Sequence, residues 1–334
     1  MVHNRYYSGP ISDHYDGRRF FNPGSSVADK GLRDILRWRR TSVRAQWPVS
    51  VDVVQVVPDR MIADARITIV GHATTLIQTG GLNIVTDPVW SQRASPISFG
   101  GPKRVSPPAV AFDDLPAINV VLLSHNHYDH LDIATLRRLV ARDRPLILTA
   151  LGNDAILKAA IPHADVRVGD WWERVRLHEG VEISIVPALH WSARGLRDRR
   201  MALWCGFAIQ SGGQMIYFAG DTAYGDGQVF RAIRQALGRP DVALLPIGAY
   251  APRWFMKSFH TDPDEAVAIM QDVGASQAIG IHWGVFPLSD EGRDDPRNAL
   301  GAALTRSRIS SGQFLAAEPG YVWRSENNKN HVTP

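Results

Sequence analysis

The apolar run Val120-Val121-Leu122-Leu123 leads directly into Ser124-His125-Asn126-His127-Tyr128-Asp129-His130. This junction constrains the fold more than any other part of the chain. A short continuous apolar run reads as a buried strand. The polar heptapeptide then falls where that strand ends, the usual place for a site in layered α/β structures. Three imidazoles and a carboxylate so close together are the ligand types that suit zinc and neighbouring transition metals. In a tight loop, His125 and His127 can face one metal ion. Asp129 and His130 follow the turn and can face a second.

Three further stretches repeat the pattern. Residues 183–186 lead into Pro187-Ala188-Leu189-His190-Trp191, residues 215–219 into Gly220-Asp221-Thr222, and residues 278–281 into His282-Trp283-Gly284. A single His or Asp at a strand end is more often a satisfied core residue or a cap. Three at equivalent positions reinforce one another, and five of the 12 histidines fall in this set. His260 stands before Asp262-Pro263-Asp264-Glu265, a helix start with a capping Asp, an early Pro and Glu265 three residues on. Helix N-termini favour anions, so His260 is a candidate to bind or protonate a phosphate oxygen. Asp87, after Ile84-Val85-Thr86, is a candidate acceptor that orients a ligand histidine. His72, after Val70-Gly71, either assists in the same way or packs.

The remaining pattern predicts two packed, mixed β-sheets with outer helices. Strand-like runs fall at 67–70, 75–78, 83–86, 120–123, 146–149, 181–186, 205–210, 215–219, 242–246 and 278–281. Helical patterns fall at 132–141, 154–160, 226–237 and 263–272. No linker-like stretch interrupts 66–324. The expected organisation is therefore an N-terminal extension over 1–65 packing on the core, one catalytic domain over 66–324, and a tail over 325–334.

An apolar content of 45% suits a globular core. The single cysteine, Cys205, excludes an internal disulfide and sits in an apolar stretch, as a buried structural thiol would. No apolar run approaches the roughly 18 residues of a membrane span. The first residues lack the apolar core of a signal peptide, so a cytoplasmic location is expected. The net charge of +4 is spread along the chain. Arg33, Arg37, Arg39, Arg40 and Arg44 mingle with Leu36, Trp38 and Trp47, which predicts a basic amphipathic helix over about 31–44. Such a segment either lies on an anionic membrane with tryptophan at the interface or docks its apolar side on the core. Arg194, Arg197, Arg199 and Arg200 form a second basic group. They either meet a phosphate or carboxylate near the metals or form a charged loop. No long basic and aromatic stripe for single strands is present, so nucleic acid is not an expected partner.

The motif His125-x-His127-x-Asp129-His130 with His190, Asp221 and His282 downstream resembles the signature of the metallo-β-lactamase superfamily. A narrower resemblance spans about residues 66–290. It rests on Gly71-His72-Ala73-Thr74, Thr86-Asp87-Pro88-Val89-Trp90-Ser91-Gln92-Arg93-Ala94-Ser95-Pro96 and Gly101-Pro102-Lys103-Arg104. It also rests on His190-Trp191-Ser192-Ala193-Arg194, Leu245-Pro246-Ile247-Gly248-Ala249-Tyr250, Pro252-Arg253-Trp254-Phe255-Met256-Lys257 and Ile281-His282-Trp283-Gly284. These motifs are similar to those of the branch holding the N-acyl-phosphatidylethanolamine-hydrolysing phospholipase D and its bacterial relatives. His14-Tyr15-Asp16-Gly17-Arg18-Arg19-Phe20-Phe21-Asn22-Pro23 also looks like the leader of the bacterial members. Phe259 departs from the pattern, standing before His260 where the phospholipase has a polar residue, which bears on head-group recognition.

The resemblance implies an αββα sandwich with the metals at one edge. It implies one zinc on His125, His127 and His190, a second on Asp129, His130 and His282, and Asp221 bridging both beside a bridging hydroxide. Manganese or iron suits the same ligands. Asp129, Asp221 and His260 then carry the chemistry, with His72, Asp87, Tyr128, Arg194 and Tyr250 as supporting or substrate-binding residues. The activity implied is phosphodiester hydrolysis of N-acyl-phosphatidylethanolamine or a related phospholipid by a homodimer, and the basic segment adds the expectation of peripheral membrane contact through 31–47. A lactonase or other acyl hydrolase on the same metals is the nearest alternative. A membrane-surface or interaction module with a structural metal site is the second.

Overall fold

A computed structural model of the chain describes residues 3–24, 30–62, 64–177 and 180–325. Residues 326–334 of the expected tail lie outside this description.

The sheet-forming segments come in two similar series. The first holds β1 (Arg66–Gly71), β2 (Thr74–Thr79), β3 (Leu82–Thr86), β4 (Val120–Leu123), β5 (Leu146–Ala150) and β6 (Asp165–Gly169). The second holds β7 (Arg174–Arg176), β8 (Glu182–Val186), β9 (Gly206–Ser211), β10 (Gln214–Phe218), β11 (Val242–Pro246), β12 (Gln277–Ile281) and β13 (Phe314–Ala316). The last strand, β14 (Val322–Arg324), returns to pair antiparallel with β1. Among the described residues the sheets run β14-β1-β2-β3-β4-β5-β6 and β13-β12-β11-β10-β9-β8-β7. From β14 to β3 the pairing is antiparallel, and from β3 to β6 parallel. The second sheet repeats this, antiparallel from β7 to β10 and parallel from β10 to β13. Both sheets are therefore mixed.

The period-2 alternation of side chains explains why the central strands read as continuous apolar runs. Val120 and Leu122 of β4 face the interior between the sheets, while Val121 and Leu123 face the outer helices. Val242 and Leu244 of β11 likewise face inward, and Ala243 and Leu245 outward. The helices α2 (Ile133–Asp143) and α3 (Asn153–Ala160) cover the first sheet through Leu136, Leu139, Val140 and Leu157. The second sheet is covered by α4 (Gln228–Leu237), α6 (Pro263–Val273) and α7 (Asp295–Ser307) through Phe230, Val267, Met270 and Leu304. The four layers are helix, sheet, sheet, helix, the αββα sandwich.

Ten expected strands and four expected helices lie where the sequence placed them, within one or two residues at their ends. The missed strands are β6, β7, β13 and β14, which are short or polar and sit at or beside sheet edges. Edge strands carry no two-sided apolar signature. The missed α7 starts at a proline in its first turn and contains Gly301, which weakens its helical signal.

The basic segment forms α1 (Leu32–Thr41). Its tryptophans are committed to the protein body. The Trp38 indole donates to Asp290 Oδ2 at 2.9 Å and its ring packs on Phe255 of the short helix α5 (Arg253–Met256), while Trp47 donates to Glu291 O at 2.9 Å. Trp38 and Trp47 therefore take the core-docking alternative, not that of outward interfacial anchors.

The interior between the sheets carries much of the stability. Phe207 is fully buried there. Phe207→Ala is expected to destabilise the fold by about 3–5 kcal/mol, measured by chemical denaturation. A loss near zero would contradict a close-packed interface between the sheets.

Candidate metal centre

The site is assembled at one end of both sheets. β1, β3 and β4 point the same way, so His72, Asp87 and the His125–His130 loop emerge together. In the second sheet β8, β10 and β12 also share a direction, which brings His190, Asp221 and His282 to their ends. The two ends meet closely. Gly220 has φ +60°, and a Cβ there would stand 2.8 Å from Ser124 Cβ and 3.0 Å from Cys205 O. Any side chain at position 220 would force the sheets apart.

Two sets of ligand-type atoms converge. His125, His127, His190 and Asp221 form one, and His72, Asp129, His130 and His282 the other, each lying within 4.8 Å. Asp221 stands between them, with Oδ2 3.2 Å from His130 Nε2 and Oδ1 3.2 Å from His282 Nε2. The chain thus brings together all seven residues expected as ligands. It adds His72, whose Nε2 lies 3.0 Å from Asp129 Oδ2.

Hydrogen bonds fix the ring orientations. His190 Nδ1 faces Phe259 O at 2.8 Å. A carbonyl only accepts, so the proton is on Nδ1 and Nε2 presents its lone pair. Ser124 Oγ donates to Asp87 Oδ2 at 2.6 Å, which leaves it to accept from His125 Nδ1 at 2.9 Å. His130 Nδ1 donates to Asp87 Oδ2 at 2.7 Å. The Nε2 atoms of His125 and His190 are therefore bare and directed inward, while His130 Nε2 lies 3.2 Å from Asp221 Oδ2. His125 Nε2 and His190 Nε2 both lie against His127 Nδ1, at 2.8 and 3.2 Å. One proton on His127 cannot serve both acceptors well, whereas a cation serves all three nitrogens. His127 Nε2, His130 Nε2 and Asp221 Oδ1 are also buried without a hydrogen-bond partner. The donor set fits metal ions of the zinc type.

Electrostatics separates the two sets. Burial, reinforced by neighbouring imidazoles, holds His125 and His190 well below the ordinary histidine value, and burial lowers His127 to about 4. These are neutral imidazoles, as ligands must be. Burial opposes ionisation of Asp221 and Asp129, yet His130 and its neighbours hold both carboxyls well below the usual carboxylate range. Burial would lower His282, but Asp221 and Asp129 raise it to about 9.

The backbone pays locally for this arrangement. His72 and His282 have φ values of +58° and +62°, a region that residues with a Cβ seldom occupy. His282 N donates to His72 O at 3.0 Å, so the two strained residues hold each other across the sheets.

A cavity of about 410 Å³ opens over the centre. His127, Asp129, Asp221 and His260 form its polar floor, and Ile35, Trp38, Trp191, Phe255, Met256, Phe259 and Leu288 its apolar walls. His260 Nδ1 is buried without a hydrogen-bond partner and lies 3.9 Å from Asp221 Oδ2. Burial lowers His260 to about 4. Tyr128 also lines the cavity.

Two expected contacts lie elsewhere. Arg194 turns away from the cavity: Nη1 donates to Asn126 O and Leu131 O, both at 2.9 Å, and its guanidinium covers the Tyr128 ring. It braces the metal loop from behind. Tyr250 is not among the cavity-lining residues, and its backbone N–H donates to Glu291. Of the second basic group, Arg199 lines the cavity, stacked 4.1 Å over Trp191. Sequence reasoning gave no specific role to Ser124, although it abuts the motif. Lys30 of the cavity wall carries no local signal, and Trp38 is marked only by the amphipathic pattern of its segment.

Residues 82–283 match the family model described as a beta-lactamase superfamily domain. The chain belongs to that superfamily. It is 38% identical over 270 residues to N-acyl-phosphatidylethanolamine-hydrolyzing phospholipase D 1 of Caenorhabditis elegans, covering 78% of this chain and 76% of the relative. It is 35% identical over 247 residues to the mitochondrial N-acyl-phosphatidylethanolamine-hydrolyzing phospholipase D of Saccharomyces cerevisiae, covering 70% of this chain and 50% of that protein's length. The solved structure of Igni18, a metallo hydrolase from Ignicoccus hospitalis, shares the fold with a TM-score of 0.58 and 20% identity, over 79% of this chain and 99% of that one. The protein is thus a metal-dependent hydrolase of the metallo-β-lactamase fold with phospholipase D homologues.

Asp87 accepts hydrogen bonds from Ser124 N, Ser124 Oγ and His130 Nδ1. Groups that orient ligands are commonly worth about 10–100-fold in metal affinity. Asp87→Asn is expected to weaken zinc binding by that amount, measured by competition with a chromophoric chelator. Unchanged affinity would show that Asp87 does not orient His130.

Proposed function

We propose that this protein is a dizinc phosphodiesterase of the phospholipase D type, acting on N-acyl-phosphatidylethanolamine or a related glycerophospholipid. The observation that carries this reading is the junction of floor and walls in one cavity. Two ligand sets joined by Asp221 lie under an apolar channel lined by Trp38, Phe255, Met256 and Phe259. Such a shape suits a phosphodiester with a long apolar arm. The homologues named as phospholipases support the same substrate class.

His125, His127 and His190 would hold one ion, Asp129, His130 and His282 the other, and Asp221 both. Bound there, the ions supply water activation near neutral pH and a positive field for the phosphoryl oxygens. The chain's own groups do the rest. Asp221 sits between the sets and fixes their separation. His260, neutral through burial, offers a ring N–H to a phosphoryl oxygen whose charge grows during the reaction. The apolar walls exclude bulk water and hold the acyl arm. No nucleophilic side chain is needed, and the buried Cys205 takes no part.

Trp38 and Trp47 turn inward, so contact with a bilayer falls to the exposed Arg33, Arg37 and Arg40 of α1, which suit anionic head groups. Among the described residues no helix is long and apolar enough to cross a membrane.

Metal content and hydrolysis of bis(p-nitrophenyl) phosphate should be measured on one purified sample, followed by N-acylated phospholipid. About two zinc per chain is expected, with activity removed by chelation and restored by zinc. Asp221→Ala should abolish turnover with the fold retained, and His260→Ala should lower kcat by about 100-fold. Full activity in metal-loaded Asp221→Ala would overturn the mechanism. Two metals without phosphodiester cleavage would favour lactones and other acyl substrates instead.

A further inference from the structure

The segment from His190 to Trp204 connects β8 to β9 without a helix or strand of its own. It carries a candidate ligand, His190, and two cavity residues, Trp191 and Arg199. A connection of this length without internal structure needs external anchors to hold a ligand in place.

Leu151 and Asn153 hold the connection at Leu203, its Arg194 reaches Asn126 and Leu131, and further anchors come from the N-terminal segment. Asn4 Nδ2 donates to Met201 O at 2.9 Å, Tyr6 Oη to Asp198 Oδ2 at 2.9 Å, and Phe20 N to Arg200 O at 2.8 Å. Asn22 makes the last contact and the one nearest the centre. Its Nδ2 donates to His190 O at 3.0 Å, and its Oδ1 accepts from Trp204 Nε1 at 3.1 Å. One carboxamide thus ties the two ends of the connection together.

The segment is itself fixed. Tyr15 and Phe20 are buried in the core between the sheets. The His14 ring lies between Asp13 and Asp170, at 2.6 and 2.8 Å, and stacks on Trp171 at 4.5 Å. Trp171 Nε1 donates to Trp204 O at 2.7 Å, so strap and connection share a footing.

We infer that residues 4–22 are a working part of the metal centre, and that Asn22 is the positioning residue that sets His190. The inference rests on the reading of His190 as a ligand. The Nε2 of His190 is aimed by two constraints: the bond from its Nδ1 to Phe259 O, and the position of its backbone, which Asn22 holds at the His190 carbonyl while Thr222 and Ala223 hold Leu189 before it. Only a side chain with a donor and an acceptor fits between the His190 carbonyl and the Trp204 indole. An aspartate would keep the acceptor toward Trp204 and set an oxygen against the His190 carbonyl.

The test is Asn22→Asp in the full chain, compared with wild type and with Trp204→Phe. Zinc affinity of each site is read by chelator competition, Co(II) absorption reports the ligand field, and the melting temperature of the metal-free protein reports the fold. Asn22→Asp is expected to weaken one of the two sites by about 10-fold or more, with altered Co(II) bands and the other site unchanged. Trp204→Phe removes the indole bonds to Asn22 Oδ1 and Ala188 O but leaves the Asn22 bond to His190 O, and is expected to lower the melting temperature while keeping both affinities. Wild-type affinities and bands in Asn22→Asp would overturn the inference. Equal metal loss in both variants would overturn it too, because the effect would then follow general destabilisation. If Asn22→Asp does not fold, Asn22→Ser, which keeps a shorter donor and acceptor, decides by the same readouts. A wild-type protein that takes up no zinc would remove the metal reading itself, a result distinguishable from any difference between variants.

Discussion

Asp87 is a carboxylate with no solvent exposure at all, at the end of β3. Removing such a group from water costs several kcal/mol unless it is paired and hydrogen-bonded. Burial pushes its carboxyl above the ordinary value, against the pull of His130 and Ser124. The fold accepts this cost because one carboxylate organises the whole first loop. It holds the backbone of Ser124 as β4 ends, aims His130 directly, and aims His125 through the Ser124 hydroxyl. His130 and His125 belong to different ligand sets. Asp87 therefore sets the relation of the two halves before any ion arrives, which is what preorganisation requires.

The centre was legible in sequence because of how these sheets are buried. A strand covered on both faces is an apolar run, and its end is where polar side chains first become tolerable. Each candidate ligand follows such a run, so the register of the site could be read one strand at a time. The edge strands could not be read this way. β7 has only three residues, two of them exposed arginines. Partners distant along the chain were also hidden. His190 finds Phe259 and Asn22, and nothing near any of the three announces the others. Arg194 shows what spacing leaves open. Its position after His190 allows a substrate contact or a supporting role, and its guanidinium is spent on the carbonyls of Asn126 and Leu131.

The amphipathic segment illustrates how a sequence signal can fix the kind of element and leave its direction open. A basic helix with interspersed tryptophan fits a membrane surface or a docked cavity wall equally well. The deciding group is Asp290, far along the chain, which accepts from the Trp38 indole at 2.9 Å and the Ser42 hydroxyl at 2.6 Å. Arg44 adds a third contact at 3.6 Å. With its indole so held, α1 supplies Ile35 and Trp38 to the cavity wall and turns its arginines outward. One helix then shapes the apolar channel on one side and offers positive charge on the other.

The charge of the ligand set bears on what the channel admits. With metal bound, His125, His127, His190, His130 and His282 would contribute no charge, and Asp129 and Asp221 two negative charges. Two divalent cations held there would leave an excess of roughly two positive charges in a buried, poorly screened place. A phosphodiester monoanion and an activated water together neutralise that excess. A neutral lactone or ester would leave more of it uncompensated. His260 adds an uncharged donor at the floor, while the further cations of the cavity, Lys30 and Arg199, stand in its lining. Under the proposed activity, the apolar walls would favour a phosphodiester whose substituents readily leave water. Charge balance and wall chemistry both support the proposed amphiphilic phosphodiester, and neither argument depends on the other.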